Sequence, residues 1–175
     1  YKSYKGEQGK TAPNVLNREF KASKPNEKWA TDITEFKVKG EKLYLSPIID
    51  LCTREIISYQ LSRRPIFDQV LQMIKKATRK HKTENILLHS DQGWQYRMRQ
   101  YRKILEKKKI IQSMSRKGNC IDNAIIENFF GTLKSELFYL KKYSSRSQLE
   151  KEIKQYIRYY NLSLIHISEP TRLTC

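Results

Sequence analysis

Residues 28–38 are rich in Trp, Thr, Ile, Phe and Val with alternating character, and the turn at Gly40 is followed by two further runs of that kind, 43–51 and 55–61. Alternation with β-branched and aromatic residues predicts an antiparallel meander of three strands. Pro47 inside the second run lacks a ladder donor and predicts an edge or a bulge there. Beyond Pro65 the spacing becomes helical, with Phe67, Val70, Leu71 and Ile74 on one face of a basic segment that ends near Lys80. A short apolar strand at 86–88, a helix at 95–108 and a strand at 110–114 follow, then a Gly-containing loop at 115–120. Two helices close the pattern: 122–137, and 147–160 with a stripe of Leu149, Ile153, Ile157 and Tyr160. The order predicts an α/β domain, a mixed five-stranded sheet with helices on both faces.

The 175 residues suit one domain with short appendages. Residues 1–25 are polar and basic, carry Gly6, Gly9, Pro13 and Pro25, and show no sustained period, so they are expected to form a linker or extended arm before a core at 26–161. The chain opens on Tyr1, as expected of a segment lying inside a longer reading frame. No apolar run approaches the roughly 20 residues that cross a bilayer, and no signal-peptide pattern is seen, so a cytoplasmic location is expected. Cys52, Cys120 and Cys175 match no zinc spacing and are expected as reduced thiols. Charge changes the picture most: 35 Lys and Arg against 18 Asp and Glu give +17. Such an excess over a whole domain predicts a polyanionic partner, and without a basic amphipathic helix backed by a long apolar face, nucleic acid is preferred to a membrane surface.

Three acids stand out in that basic chain. Alternation puts Asp32 on the face of Ala30, Thr34 and Phe36, where a carboxylate is costly unless a cation or a hydrogen-bond network meets it. Asp91 falls just past the 86–88 strand, at a carboxyl end where ligand sites gather in alternating α/β folds, although it would serve equally as a helix cap. On the 122–137 helix, at ~100° per residue, Asn123, Glu127 and Lys134 cluster beside the apolar stripe of Ile126, Phe130, Leu133 and Leu137, a placement that also describes an ordinary solvated flank.

With 35 residues between the last two, Asp32, Asp91 and Glu127 resemble the DDE pattern shared by retroviral integrases and the second-frame products of a large class of insertion sequences. The flanking words are similar too: Trp29-x-Thr31-Asp32-Ile33-Thr34, His89-Ser90-Asp91-Gln92-Gly93-x-Gln95-Tyr96, and Gly118-Asn119-x-x-Asp122-Asn123-Ala124-x-x-Glu127-x-Phe129-Phe130. The surroundings of Glu127 are nearer to the insertion-sequence enzymes. The element order is that of the ribonuclease-H-like fold. The resemblance implies two Mg²⁺ (or Mn²⁺) ions held by the three acids, with Asp32 bridging both. It implies phosphodiester cleavage with water as nucleophile and strand transfer with a DNA 3′-hydroxyl. It also implies DNA contacts at Lys134, Asn123, Lys117 and Gln92, with transposon ends and target DNA as partners. A homo-oligomer in the DNA complex, a nucleoid-associated place in the cell, and a DNA-recognition region upstream of Tyr1 complete the expectation. Two other readings remain open: a DNA-binding remnant without activity, and a simple nuclease of the same fold.

The resemblance stops after Asn161. Leu162-Ser163-Leu164-Ile165-His166-Ile167-Ser168-Glu169-Pro170-Thr171-Arg172 looks like translated transposon-end adapter sequence of the kind used to prepare sequencing libraries. Residues 162–175 are therefore expected to be an artefactual tail with no helical stripe and few core contacts.

Overall fold

A computed structural model describes residues 9–117 and 123–167. One mixed sheet runs through it, built from β1 (Lys28–Thr31), β2 (Thr34–Val38), β3 (Glu41–Asp50), β4 (Ile56–Ser62), β5 (Leu87–Ser90) and β6 (Ile111–Met114). The helices are α1 (Phe67–Lys80), α2 (Trp94–Arg97), α3 (Arg99–Lys107), α4 (Ala124–Leu133) and α5 (Arg146–Ile167), with a π-helical turn at Lys134–Phe138. Six segments fill five lanes. Both β1 and β2 lie antiparallel to β3 on the side away from β4, and the pairs Thr31↔Ile48 and Thr34↔Leu45 continue one register. The strand expected at 28–38 is thus a single strand whose ladder opens at Asp32 and Ile33. The lanes run β4, β3, β1 with β2, β5, β6, the last two steps being the parallel pairs of β1 with β5 and β5 with β6.

Pro47 explains the opening. Contrary to the expectation of an edge or a bulge at that residue, it sits inside β3, flanked on both sides, while the register irregularity falls one residue later, between Ile48 and Ile49. Its carbonyl accepts the Thr31 hydroxyl at 2.8 Å, so this residue presents its backbone toward the β1–β2 lane. In a strand the N–H would point the same way. Proline has none, and the missing donor faces the stretch where the ladder lapses.

Alternation along the strands splits the core between two layers. On one face Ala30, Phe36, Leu45 and Leu87 pack with Ile126, Phe129, Phe130 and Leu133 of α4 and Leu149, Ile153 and Ile157 of α5. On the other, Trp29, Ile48, Ile57 and Leu88 pack with Val70, Met73, Ile74 and Ala77 of α1 and with Tyr96, Tyr101 and Leu105. At roughly 25 cal/mol per Å² of apolar surface removed from water, these two layers are the main stabilising term.

Several local expectations change. The helix expected at 95–108 breaks at Met98, which is extended (ψ 139°), giving α2 and α3. Five positions apart, Tyr96 and Tyr101 would face different ways on a continuous helix; the break lets their rings meet edge to face at 5.5 Å, both buried. The helix expected to reach residue 137 widens after Leu133, where the Tyr139 N–H donates to the Lys134 carbonyl. The basic arm is extended as expected but docked: Leu16 and Ala22 are buried, and the Val15 and Leu16 amides donate to Ser113 Oγ. Instead of ending near Tyr160, α5 continues to Ile167, with no proline or glycine in its path, although Leu162 and Ile165 are about half exposed. Cys52, expected as a reduced thiol, is disulfide-bonded; wide spacing in sequence sets no distance in space.

Candidate active site

The parallel pairing of Ala30 with His89 carries Asp32 and Asp91 to the carboxyl ends of neighbouring strands. Both side chains lie on the α4 face, by alternation from Ala30 and Leu87. Each is only half buried. Asp32 Oδ1 accepts the Ile33 N–H at 2.7 Å, beside the point where the ladder lapses. Asp91 Oδ1 accepts the Gly93 N–H at 2.7 Å, closing a tight turn into α2, whose N-cap is Gly93 and not the aspartate. A side chain at 93 would crowd the same turn: a Cβ there would stand 2.9 Å from Asp91 Oδ1, so the carboxylate would have to shift. The third acid, Glu127, is exposed on α4, whose buried Ile126 and Phe130 fix the helix against β1.

The electrostatics are those of an uncompensated acid pair. Burial, then the Asp91 charge and more weakly that of Glu127, push the Asp32 carboxyl up to about 7, against the Ile33 hydrogen bond that lowers it. Burial raises Asp91 as well, against its bond from Gly93. Among the described residues neither acid forms an ion pair. Asp50 shows what a structural buried acid looks like in the same sheet: it accepts three backbone N–H groups, from Asn26, Cys52 and Thr53, at 2.6, 2.7 and 3.0 Å. Asp32 and Asp91 have one each, which leaves oxygen lone pairs directed outward. That donor set, hard and anionic, fits a divalent cation such as Mg²⁺. Among the described residues no three His, Cys, Asp or Glu side chains converge on a single ion position. The arrangement is a close pair with Glu127 approaching Asp32.

Other expected residues are distributed around this pair. Gln92 Nε2 donates to the Ser115 carbonyl at 3.0 Å, tying the turn after β5 to the chain leaving β6. Lys117 is exposed beyond that tie. Asn123 is buried at the start of α4, makes no capping bond, and its Oδ1 has no partner among the described residues. The Lys134 ammonium lies 5.4 Å from the centre of the Phe36 ring, four positions along the strand from Asp32. His89 is fully buried and shares a hydrogen bond with Ser113 Oγ at 2.8 Å, a core role. Asn119 and Asp122 lie outside the described residues. Two residues went unassigned in the sequence: Tyr96 and Tyr101, fully buried phenols behind the acids. Burial holds both well above their ordinary range, helped by the charges of Asp32 and Asp91 at Tyr96 and by that of Asp91 at Tyr101. Tyr96 belongs to the word around Asp91, but nothing in a sequence says that a tyrosine backs a carboxylate.

Sheet order, crossing helices and the acid pair together define an integrase-type, ribonuclease-H-like core. Two models of the integrase core domain match this chain, over residues 22–120 and 127–172. Among relatives, the putative transposase InsK of insertion sequence IS150 from Escherichia coli K12 is 60% identical over 162 residues, 92% of this chain and 57% of InsK. A transposase-like protein of Haemophilus influenzae is 55% identical over 161 residues, covering 92% of this chain and 74% of its own length. The catalytic core of HTLV-2 integrase, in its dimeric magnesium complex, shares the fold with a TM-score of 0.57 at 16% identity, over 77% of this chain and 85% of that one. The chain belongs to the integrase core domain family, among the insertion-sequence transposases, and spans little more than half the length of InsK.

Proposed function

We propose that this chain carries the phosphodiester-cleaving and DNA-joining centre of an insertion-sequence transposase, acting on transposon ends and target DNA within a homo-oligomeric complex, with Asp32, Asp91 and Glu127 as its acids. The observation that carries the reading is the half-buried pair on neighbouring strand ends, Asp32 raised by burial and repulsion and Asp91 by burial, answered by no cation among the described residues. Two Mg²⁺ (or Mn²⁺) ions held by the three acids would offset that repulsion, activate the attacking oxygen and stabilise the leaving one. Magnesium in the HTLV-2 integrase core supports the choice of ion. The charges of Asp91 and Glu127 both act on Asp32, so Asp32 would help to hold both ions, with Asp91 and Glu127 each completing the set for one. A two-ion arrangement asks each position for only part of the set, in keeping with a pair plus one.

Around the acids, the Asp91–Gly93 turn and the Gln92–Ser115 tie hold Asp91 at a fixed angle to Asp32. Lys134, Asn123, Lys117 and Gln92 border the acids as candidate contacts to DNA, Lys134 reaching phosphate from its perch on Phe36.

The test is a duplex oligonucleotide carrying a transposon end, incubated with and without Mg²⁺. Asp32→Asn, Asp91→Asn and Glu127→Gln are expected to abolish both nicking and joining while binding measured in EDTA stays within a few-fold. An amide variant that keeps most of its activity removes that residue from the set. Nicking without joining by the wild type identifies a simple nuclease, and neither reaction identifies an inert DNA-binding core.

A further inference from the structure

The far edge of the sheet holds a second charged feature. Among the described residues β4 pairs only with β3, so its outer edge is open. Because α1 and α5 cover opposite faces of the sheet, their flanks stand up on either side of that edge and enclose a groove of about 750 Å³. Lys76, Arg79 and Lys80 on α1 face Lys154 and Arg158 on α5, and the only carboxylate in the lining, Glu150, is already paired with Lys154 at 3.3 Å. Lys76 Nζ donates to Gln60 Oε1 at 2.6 Å, which leaves its charge unneutralised. Burial and the neighbouring charges of Arg79, Lys154 and Lys80 hold Lys76 below its ordinary range, so cations from the two helices crowd one another across the strand. Crowding of that kind destabilises the fold until an anion fills the groove.

We infer that this groove binds the phosphodiester backbone of a DNA segment at a surface separate from the acids, two lanes and about 10 Å across the sheet from β1. Two rows of cations at helical i, i+4 spacing on either side of a cleft form a track for a chain of phosphates, and backbone contacts of this kind carry affinity without base sequence. A second copy of the chain is disfavoured here, since a symmetric contact would set these cations against themselves. The inference is independent of whether the acids cut DNA.

The experiment compares Lys76→Gln/Arg79→Gln/Lys154→Gln/Arg158→Gln with an equally neutralised control on α3 and its approach, Lys82→Gln/Arg99→Gln/Lys103→Gln/Lys107→Gln, in EDTA. Affinity for a duplex of unrelated sequence is measured against salt. The groove variant is expected to flatten the log–log salt slope by about 2–4, near 0.9 for each phosphate that the protein ceases to neutralise, with an unchanged or raised melting temperature; the control is expected to shift the slope by less than about 1. Equal flattening in both variants overturns the inference in favour of general surface charge. Retained DNA affinity with abolished binding of an acidic peptide overturns it in favour of a protein partner. A wild-type dimer that the groove variant dissociates, in sedimentation without DNA, overturns it in favour of self-contact. Metal-dependent nicking at low salt and saturating DNA, measured in parallel, reports on the acids alone.

Discussion

Replacing Asp32 by asparagine should make the metal-free protein more stable, and the gain should depend on pH. In the folded chain the Asp32 carboxyl is raised from its ordinary 3.8 to about 7, burial being the first cause and the Asp91 charge the second. An acid with a raised folded value binds its proton more tightly folded than unfolded, so its contribution is fully present below about pH 4 and is lost as pH rises through about 7. At about 1.4 kcal/mol per pH unit, a rise of about three units amounts to at most about 4 kcal/mol. Asparagine fills the same space without the charge. The two proteins should therefore unfold alike near pH 4, diverge between pH 4 and 7, and differ by a constant amount above that, with Asp32→Asn the more stable. For a domain of this length that is at most roughly 8–16 °C in melting temperature.

The assay is chemical or thermal unfolding of both proteins in EDTA at half-unit steps from pH 4 to 8.5. Other groups shift too, Asp91 upward and the exposed Glu35 downward, so the difference between the two proteins is the quantity to follow. Saturating Mg²⁺ at pH 8 should close the gap from the wild-type side, by about 2.7 kcal/mol at a hundredfold excess over the dissociation constant. Parallel curves, or a wild type that gains on the variant as pH rises, would refute the reading of Asp32 as an unanswered buried charge.

Asp50→Ala should act in the opposite direction, costing about 2–3 kcal/mol, because three part-buried N–H groups lose their acceptor; unfolding titration at pH 7 checks it, and a neutral result would show that the turn re-forms around water. Gly93→Ala should leave the melting temperature within a few degrees but reduce joining by about 10–100-fold, since the new methyl displaces Asp91 and small misplacements are costly; single-turnover joining assays read it. Lys134→Ala should weaken joining of a transposon-end duplex more than binding of random duplex, with a salt slope smaller by about 1; equal loss on both substrates would mark an ordinary surface lysine.

The sheet, its two helical layers and the approximate position of every long helix follow from hydrophobic period alone, because burial on two faces forces the pattern that the sequence displays. Asp32 and Asp91 stood out as candidates for the same reason, since alternation puts one acid on a face where it does not belong and a short apolar strand leads straight into the other, but only the resemblance of their flanking words grouped them with Glu127. What could not be read depends on contacts far apart in the chain. The break at Met98 comes from two tyrosines that must meet, the docking of Leu16 from a serine on β6, and the extension of α5 past Tyr160 from Asn161, whose side chain both donates to and accepts from the backbone of Ile56. The Phe36 perch of Lys134 was hidden likewise, since a helix wheel places Lys134 beside Glu127 but says nothing of the strand beneath it.

Pro47 ties these levels together. As a strand residue it looks like an error, for it removes a donor from the interior of a sheet. Its backbone, however, faces the stretch where β1 gives way to β2, and a regular ladder there would have tied the Asp32 carbonyl to an N–H at 47. With the donor gone, the Asp32 carbonyl has no partner at 47, while the Ile33 N–H, on the side of the strand away from β3, donates to the Asp32 carboxylate and holds it at the strand's end by one bond. The register resumes at Thr34 without a slip, so Phe36 and Val38 still reach the core. The ladder loses about one bond's net worth, on the order of 1 kcal/mol, against a lapse placed next to Asp91 and nowhere else in the lane. A substitution that restored the donor, Pro47→Val, would let an N–H at 47 reach the Asp32 carbonyl and extend the ladder across the gap, coupling a more regular sheet to a changed direction of the Asp32 carboxylate.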